Sequence, residues 1–285
     1  MDPIPFLVNL AARRAGDWPR VLRDLRHLGV AVRPVPVAAP EAWLQAVGRE
    51  AAARPPAILL GGGDGSFSRA LSPLLDSGIA VGFVPLGTGN GIARSFGISS
   101  PAAACRAIAQ GRVLPASVAR AGRAYFLNMA SVGISVAVTA GLRPGLKDLL
   151  GHGAYPLSIA RALLRRQPFD LVGSLDGDEI QAVATQVIVF NGRYVARPPG
   201  LGRITPAPVL SVGILPAFSL PRLGLAVLGL WSGLRADRAG LLYREASQIR
   251  IATTPRLAVN VDGEIIERTP LDIQVLQDAL RVFVA

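Results

Sequence analysis

Ala57-Ile58-Leu59-Leu60-Gly61-Gly62-Gly63-Asp64-Gly65-Ser66 is the stretch that decides how this chain folds. Four apolar residues bounded by glycine suit a buried strand, and Phe67 to Leu75 beyond them suits a helix. A strand ending in glycines lets backbone N–H groups approach an anion without a Cβ in the way. The following helix adds the positive end of its dipole. The plainer reading is a tight strand-to-helix turn. No G-K-[ST] element is present and Lys147 is the only lysine, so a Walker-type phosphate lysine is excluded. Asp64 would repel a bare phosphate, so a functional loop here needs Mg²⁺ or a hydroxyl beside that carboxylate.

A second strand-to-glycine transition follows. Ile79 to Pro85 reads as a buried strand, and Leu86-Gly87-Thr88-Gly89-Asn90-Gly91 follows it directly. In an open parallel sheet ligands gather at the carboxyl ends of strands, so Gly62, Gly63, Asp64, Gly65 and Ser66 are expected to share a crevice with Gly87, Thr88 and Asn90. Thr88 and Asn90 bring short hydrogen-bonding side chains suited to phosphate or ribose.

The chain divides near residue 118. Before it, apolar runs at 6–8, 30–32, 57–60 and 80–84 alternate with helical stretches at 18–28, 41–53, 67–75 and 101–110, which predicts an α/β domain with a parallel sheet over residues 1–118. After it, strand-like runs dominate, at 124–130, 169–175, 182–190, 209–215, 256–261 and 271–276. Asp176-Gly177 and Asp262-Gly263 are hairpin signals among them. Residues 119–285 are therefore expected to form a mostly antiparallel β-sandwich, with the extreme C-terminus free to pack back on the first domain.

Composition bounds the function. A 285-residue chain that is 51% hydrophobic can bury a large core, and no apolar run approaches the roughly 20 residues of a membrane span. Met1 to Phe6 lacks the basic start of a signal peptide, and the single cysteine, Cys105, precludes an internal disulfide; both fit a cytoplasmic protein. His27 and His152 are the only histidines, too few for a histidine-based zinc site, and no protein-held metal is expected. The net charge of +11 is almost all arginine, yet no base-stacking or reading-helix motif accompanies it, so nucleic acid is not the expected partner. An anionic bilayer attracts such a surface, while genomic bias toward arginine and alanine would give the same composition. Leu220 to Arg238, apolar nearly all round and bracketed by arginines, is a candidate for peripheral docking or for a helix buried on the second domain's sheet. A homodimer is compatible with the sequence, which does not decide the oligomeric state.

The motifs in order resemble the diacylglycerol kinase catalytic superfamily, which includes bacterial lipid kinases, sphingosine kinases and ceramide kinases. Besides the two glycine loops, the resemblance takes in Phe126 to Gly133, Lys147 to Leu164, Val187 to Tyr194 and Val261 to Glu264. It implies ATP with Mg²⁺ as cofactors, a lipid hydroxyl as phosphoryl acceptor, and catalytic roles for Asp262, Glu264 and Asp64. Similarity to the bacterial enzymes makes Asp262 the proton acceptor, and similarity to sphingosine kinases gives that task to Asp64. Period-two alternation is expected to set Glu264 on the same side as Asp262. Asn9 stands where the family carries Asn-Pro, with Leu10 in the proline's place. Gly91 replaces an Asp common after the second loop, and Ser211-Val212 replaces adjacent acids that hold an accessory Mg²⁺ in bacterial members, so that accessory site is expected to be missing. Two rival readings stay open. NAD kinases share the turn seen in Gly62 to Arg69, though no second Asn-Glu motif follows, and a lipid-binding module without activity would keep the same fold. Acyl pockets are built from interchangeable apolar residues, so the sequence does not name the lipid.

Overall fold

The computed structural model describes residues 2–141, 167–195, 203–217 and 242–285. Two expectations, the Lys147–Leu164 segment and the docking candidate Leu220–Arg238, lie outside the described residues, apart from which the chain forms two compact units: Met1–Val118 with Leu276–Ala285, and Ala119–Val275.

In the first unit, β1 (Ile4–Asn9), β2 (Val32–Val37), β3 (Ala57–Gly62) and β4 (Ala80–Pro85) pair in the order β2-β1-β3-β4, all parallel. The end of β15 (Leu271–Phe283) adds a parallel strand beside β4, through Arg281 opposite Ala80 and Val282 opposite Val81. Every residue of β3 and β4 is buried, the continuous apolar reading of strands covered on both faces. β2 is an edge strand, which is why it tolerates Pro34 and Pro36; the sequence reading stopped its run at Val32 where the strand in fact begins.

Five helices flank these strands: α1 (Trp18–His27), α2 (Trp43–Ala52), α3 (Asp64–Arg69), α4 (Gly91–Ser95) and α5 (Pro101–Gln110). α1 buries Val21, Leu22 and Leu25 while Arg20, Arg23 and Arg26 face out, one apolar stripe at helical spacing. α5 starts at Ser100, whose hydroxyl accepts from the Ala103 N–H at 3.1 Å, and stops at Gly111 in the left-handed region. α3 ends at Arg69, earlier than the 67–75 helix expected from sequence, and a short 3₁₀ turn at Ser72–Leu74 follows.

The second unit is built from antiparallel pairs: β6 (Ala124–Phe126), β7 (Met129–Gly133), β8 (Phe169–Leu175), β9 (Asp178–Val195), β10 (Arg203–Pro216), β11 (Leu242–Ala246), β12 (Gln248–Thr254), β13 (Ala258–Val261) and β14 (Glu264–Arg268), with the ends of β5 (Val113–Ala121) and β15. A single apolar cluster takes residues from β5 to β13 and from β15, among them Phe126, Val132, Phe169, Val189, Val212, Ile251 and Val259. The strands thus wrap around one core, as inward-facing residues on alternating positions require. α6 (Ile134–Gly141) leaves β7 with its first turn held by Gln186, whose side-chain oxygen accepts from the Ser135 N–H at 2.7 Å.

Candidate functional site

The two glycine loops meet. A Cβ on Gly87 would lie 2.5 Å from the Gly63 Cα, and one on Gly63 would lie 3.1 Å from the Gly87 Cα. Both distances are shorter than ordinary contact: at Gly87 a side chain is excluded unless the backbone moves, and at Gly63 the facing loop would have to give by a few tenths of an ångström. Gly63 is extended (φ −107°, ψ −175°), a conformation open to any residue, so space and not backbone freedom is what favours glycine there. Gly62 is confined in the same way by Ser66, whose Cβ would be 2.6 Å from an added Cβ. The Leu86 N–H donates to the Gly62 carbonyl at 2.7 Å, joining the carboxyl ends of β3 and β4.

Side chains complete the joint. Asp64 accepts from the N–H groups of Gly91 (3.0 Å) and Ile92 (2.8 Å), so its carboxylate sits on the first turn of α4 where the helix dipole favours a negative charge. Asn90, left-handed at φ +51°, turns its carboxamide back on Gly87, accepting from its N–H at 2.9 Å and donating to its carbonyl at 2.8 Å. It shapes the loop, while Thr88 and Gly89 are exposed. At the end of β1, Asn9 donates from Nδ2 to the Ser66 hydroxyl at 2.8 Å and accepts on Oδ1 from the Ala11 N–H at 3.0 Å. The Arg14 N–H reaches the Leu86 carbonyl at 2.9 Å. Asn9, Gly62, Gly63, Asp64, Gly65, Ser66, Gly87 and Asn90 therefore belong to one constellation, held by three strand ends. Sequence reasoning missed one member, Trp43, whose Nε1–H donates to the Ser66 carbonyl at 2.7 Å.

Asp262 and Glu264 belong to the other unit. Asp262 (φ +48°) and Gly263 (φ +97°) form the two-residue turn between β13 and β14. Because the turn intervenes, the alternation argument that aligned Glu264 with Asp262 does not apply: Glu264 opens the next strand, opposite Val261. Asp262 as a residue is 8% exposed, and its carboxylate accepts backbone N–H bonds from Leu127 (to Oδ2 at 3.0 Å), Asn128 (to Oδ1 at 3.1 Å) and Met129 (to Oδ1 at 2.8 Å). Asp176 repeats this design. It has φ +49° before a Gly177 at φ +97°, and its carboxylate accepts from Ser247 (2.9 and 3.0 Å) and Gln248 (2.7 Å). In each turn the Asp N–H also donates back, to Met129 and to Gln248 respectively, both at 2.9 Å. The turn lock is thus common to both; burial distinguishes Asp262, since Asp176 is exposed.

Ser211-Val212 offers nothing to a hard cation. Val212 is in the core, and the buried Ser211 hydroxyl donates to the Gly192 carbonyl at 2.9 Å and lies 2.8 Å from the Tyr243 hydroxyl. Burial pushes the Tyr243 hydroxyl above its usual range, keeping it neutral. The nearby carboxylate, Glu245, is held by both Nε and Nη2 of Arg193 at 2.9 and 3.0 Å. These residues do not fit an accessory Mg²⁺. Among the described residues no group of three or more His, Cys, Asp or Glu could hold a metal ion, and no helix is long and apolar enough to cross a membrane.

Residues 6–121 match the model of the diacylglycerol kinase catalytic domain. A protein of Alcanivorax borkumensis named "Probable lipid kinase YegS-like" is 29% identical over 243 residues, 79% of this chain and 78% of its own length. A Staphylococcus haemolyticus protein named "Putative lipid kinase SH2167" is 24% identical over 239 residues, 79% of this chain and 75% of its own. Among solved structures, a Bacillus anthracis protein described as "a putative diacylglycerol kinase" superposes with a TM-score of 0.82 at 23% identity, covering 100% of this chain and 95% of the other. An NAD kinase from Archaeoglobus fulgidus in complex with ATP shares the fold more distantly, at TM-score 0.51 and 14% identity over 98% and 92% of the two chains.

Proposed function

We propose that this diacylglycerol kinase-like chain is an ATP-dependent lipid kinase that transfers the γ-phosphoryl group to a lipid hydroxyl. The observation that carries the reading is the locked pair of glycine loops at the carboxyl ends of β3 and β4, with Asn9 and Ser66 beside them. In a parallel sheet that edge is where ligands collect. Phosphoryl transfer asks a protein mainly for positioning and charge stabilisation, and both can come from backbone N–H groups on rigid loops. The Ser66 oxygen already accepts from Asn9, so its own proton is directed to another acceptor, a phosphoryl oxygen in this proposal. When bound with the nucleotide, Mg²⁺ would neutralise charge on the phosphates. Asp64, the carboxylate of this constellation, suits that nucleotide-borne ion and is itself steadied by Gly91 and Ile92.

Asp262 is proposed as the acceptor of the lipid hydroxyl's proton. Three N–H donors fix its orientation and hold the carboxylate ionised, the form that can accept a proton. Glu264 is proposed as an acidic neighbour of that step. The lipid is expected to be met at a membrane surface, which an arginine-rich chain of net charge +11 approaches favourably when that surface is anionic. Purified protein incubated with γ-labelled ATP, Mg²⁺ and a total lipid extract, with NAD offered in a parallel reaction, tests the proposal. Label in an extractable lipid is expected. Label in NADP instead would replace it with a nucleotide kinase, and no transfer to either acceptor would favour a binding module.

A further inference from the structure

We propose that Trp43 is a positioning residue for nucleotide binding, acting through Ser66; this rests on the reading of the glycine loops as a nucleotide cradle. Trp43 opens α2 and is 1% exposed, and its indole N–H donates to the Ser66 carbonyl at 2.7 Å. In a regular helix that carbonyl would accept from the N–H of Ala70. Here the Ala70 N–H turns to the Phe67 carbonyl at 3.0 Å, and the indole serves Ser66 in its place. The first turn of α3 is therefore fixed from outside the helix, by the element that follows β2.

Ser66 is held at two points by two different elements. Its hydroxyl receives the Asn9 amide at 2.8 Å and its carbonyl receives Trp43, while its Cβ and Oγ lie against the space that Gly62 leaves open. Neither the main chain nor the hydroxyl of Ser66 can shift without breaking one of these bonds. Phenylalanine would keep a buried aromatic ring there, though a smaller one, and would lack the indole N–H. The consequence is that α2, which carries none of the glycine loops, sets how well the cradle accepts phosphate.

Trp43→Phe keeps a buried ring and removes the donor. Calorimetric titration of the folded variant with ATP and Mg²⁺ should show the dissociation constant raised about five- to tenfold, the effect of one neutral hydrogen bond, beside the fall in melting temperature that the smaller ring brings. In turnover assays the loss should appear in KM for ATP while kcat is largely kept. A purely structural role would lower the melting temperature and the active fraction alone, leaving the dissociation constant of the folded protein unchanged, and that outcome overturns the inference. If the variant does not fold, the double variant Trp18→Phe with Trp231→Phe leaves Trp43 as the sole tryptophan, and its emission should shift on saturation with ATP. An emission unaltered at saturation would overturn the role. Wild-type protein that binds no ATP would instead remove the nucleotide reading beneath it.

Discussion

At the residue scale the sharpest question is what Asp262 does that Asp176 does not. Both lock an Asp-Gly turn by accepting backbone N–H bonds from a neighbouring segment, so replacing either by Asn leaves an N–H facing an amide and costs about 1–3 kcal/mol of stability, more at the buried position. Only Asp262 is proposed to take a proton. Asp262→Asn should therefore lose about 10²- to 10⁴-fold in kcat while still binding ATP, and Asp176→Asn should keep its turnover. Rates and melting temperatures measured on both variants separate the roles. Equal losses would reduce Asp262 to a turn lock, and an active Asp262→Asn beside a dead Asp64→Asn would move the proton acceptor to Asp64. The sequence could mark Asp262 only by its place near the C-terminus and the acid that follows, because the two turns share their local chemistry. The argument made for Glu264 falls away for a related reason: period two holds within a strand, and the Asp-Gly signal already announced that the strand ends there.

At the element scale, the glycine loops were legible because an apolar run ending in glycines is a local pattern. Why the glycines are needed was not legible, since Gly63 and Gly87 meet only in three dimensions. Trp43 was invisible on the same ground: nothing near it in sequence marks a bond to Ser66. β12 was a different kind of miss, because Gln248-Ile249-Arg250-Ile251 alternates polar and apolar residues as a half-buried strand should. α6 was hidden by composition, its valines and isoleucine favouring a strand that tertiary context overrides. The account predicts that Gly87→Ala, which must push the two loops apart, abolishes ATP binding in a folded protein, whereas Gly16→Ala, with open space around it in the same unit, leaves affinity intact. Circular dichroism with titration checks both, and tight binding by Gly87→Ala would refute the cradle. α5 offers a pH test. Burial first, and Asp24 second, push the Cys105 thiol up from its ordinary 9.0 to about 11. A folded-state value above the unfolded one favours the neutral thiol, so its contribution to stability is whole below pH 9 and is lost as pH rises toward 11. Native protein should resist iodoacetamide at about pH 8, where thiolate is needed, and react once unfolded in urea. Equal alkylation rates in both states would show the thiol to be accessible.

At the scale of the whole molecule, the parallel and antiparallel halves could be read from the change in pattern near residue 118, and the ordered series of motifs carried the resemblance that the catalytic-domain match and the structural neighbours bear out. The central claim is that the glycine loops of the first unit serve transfer of phosphate from ATP to lipid. The most direct test measures γ-label appearing in the organic phase after incubation with Mg²⁺ and a total lipid extract, for the wild-type chain and for folded Gly87→Ala side by side. Labelled lipid from the wild type and none from the variant is the expected result; no labelled lipid from the wild type, or equal labelling by both proteins, would contradict the account.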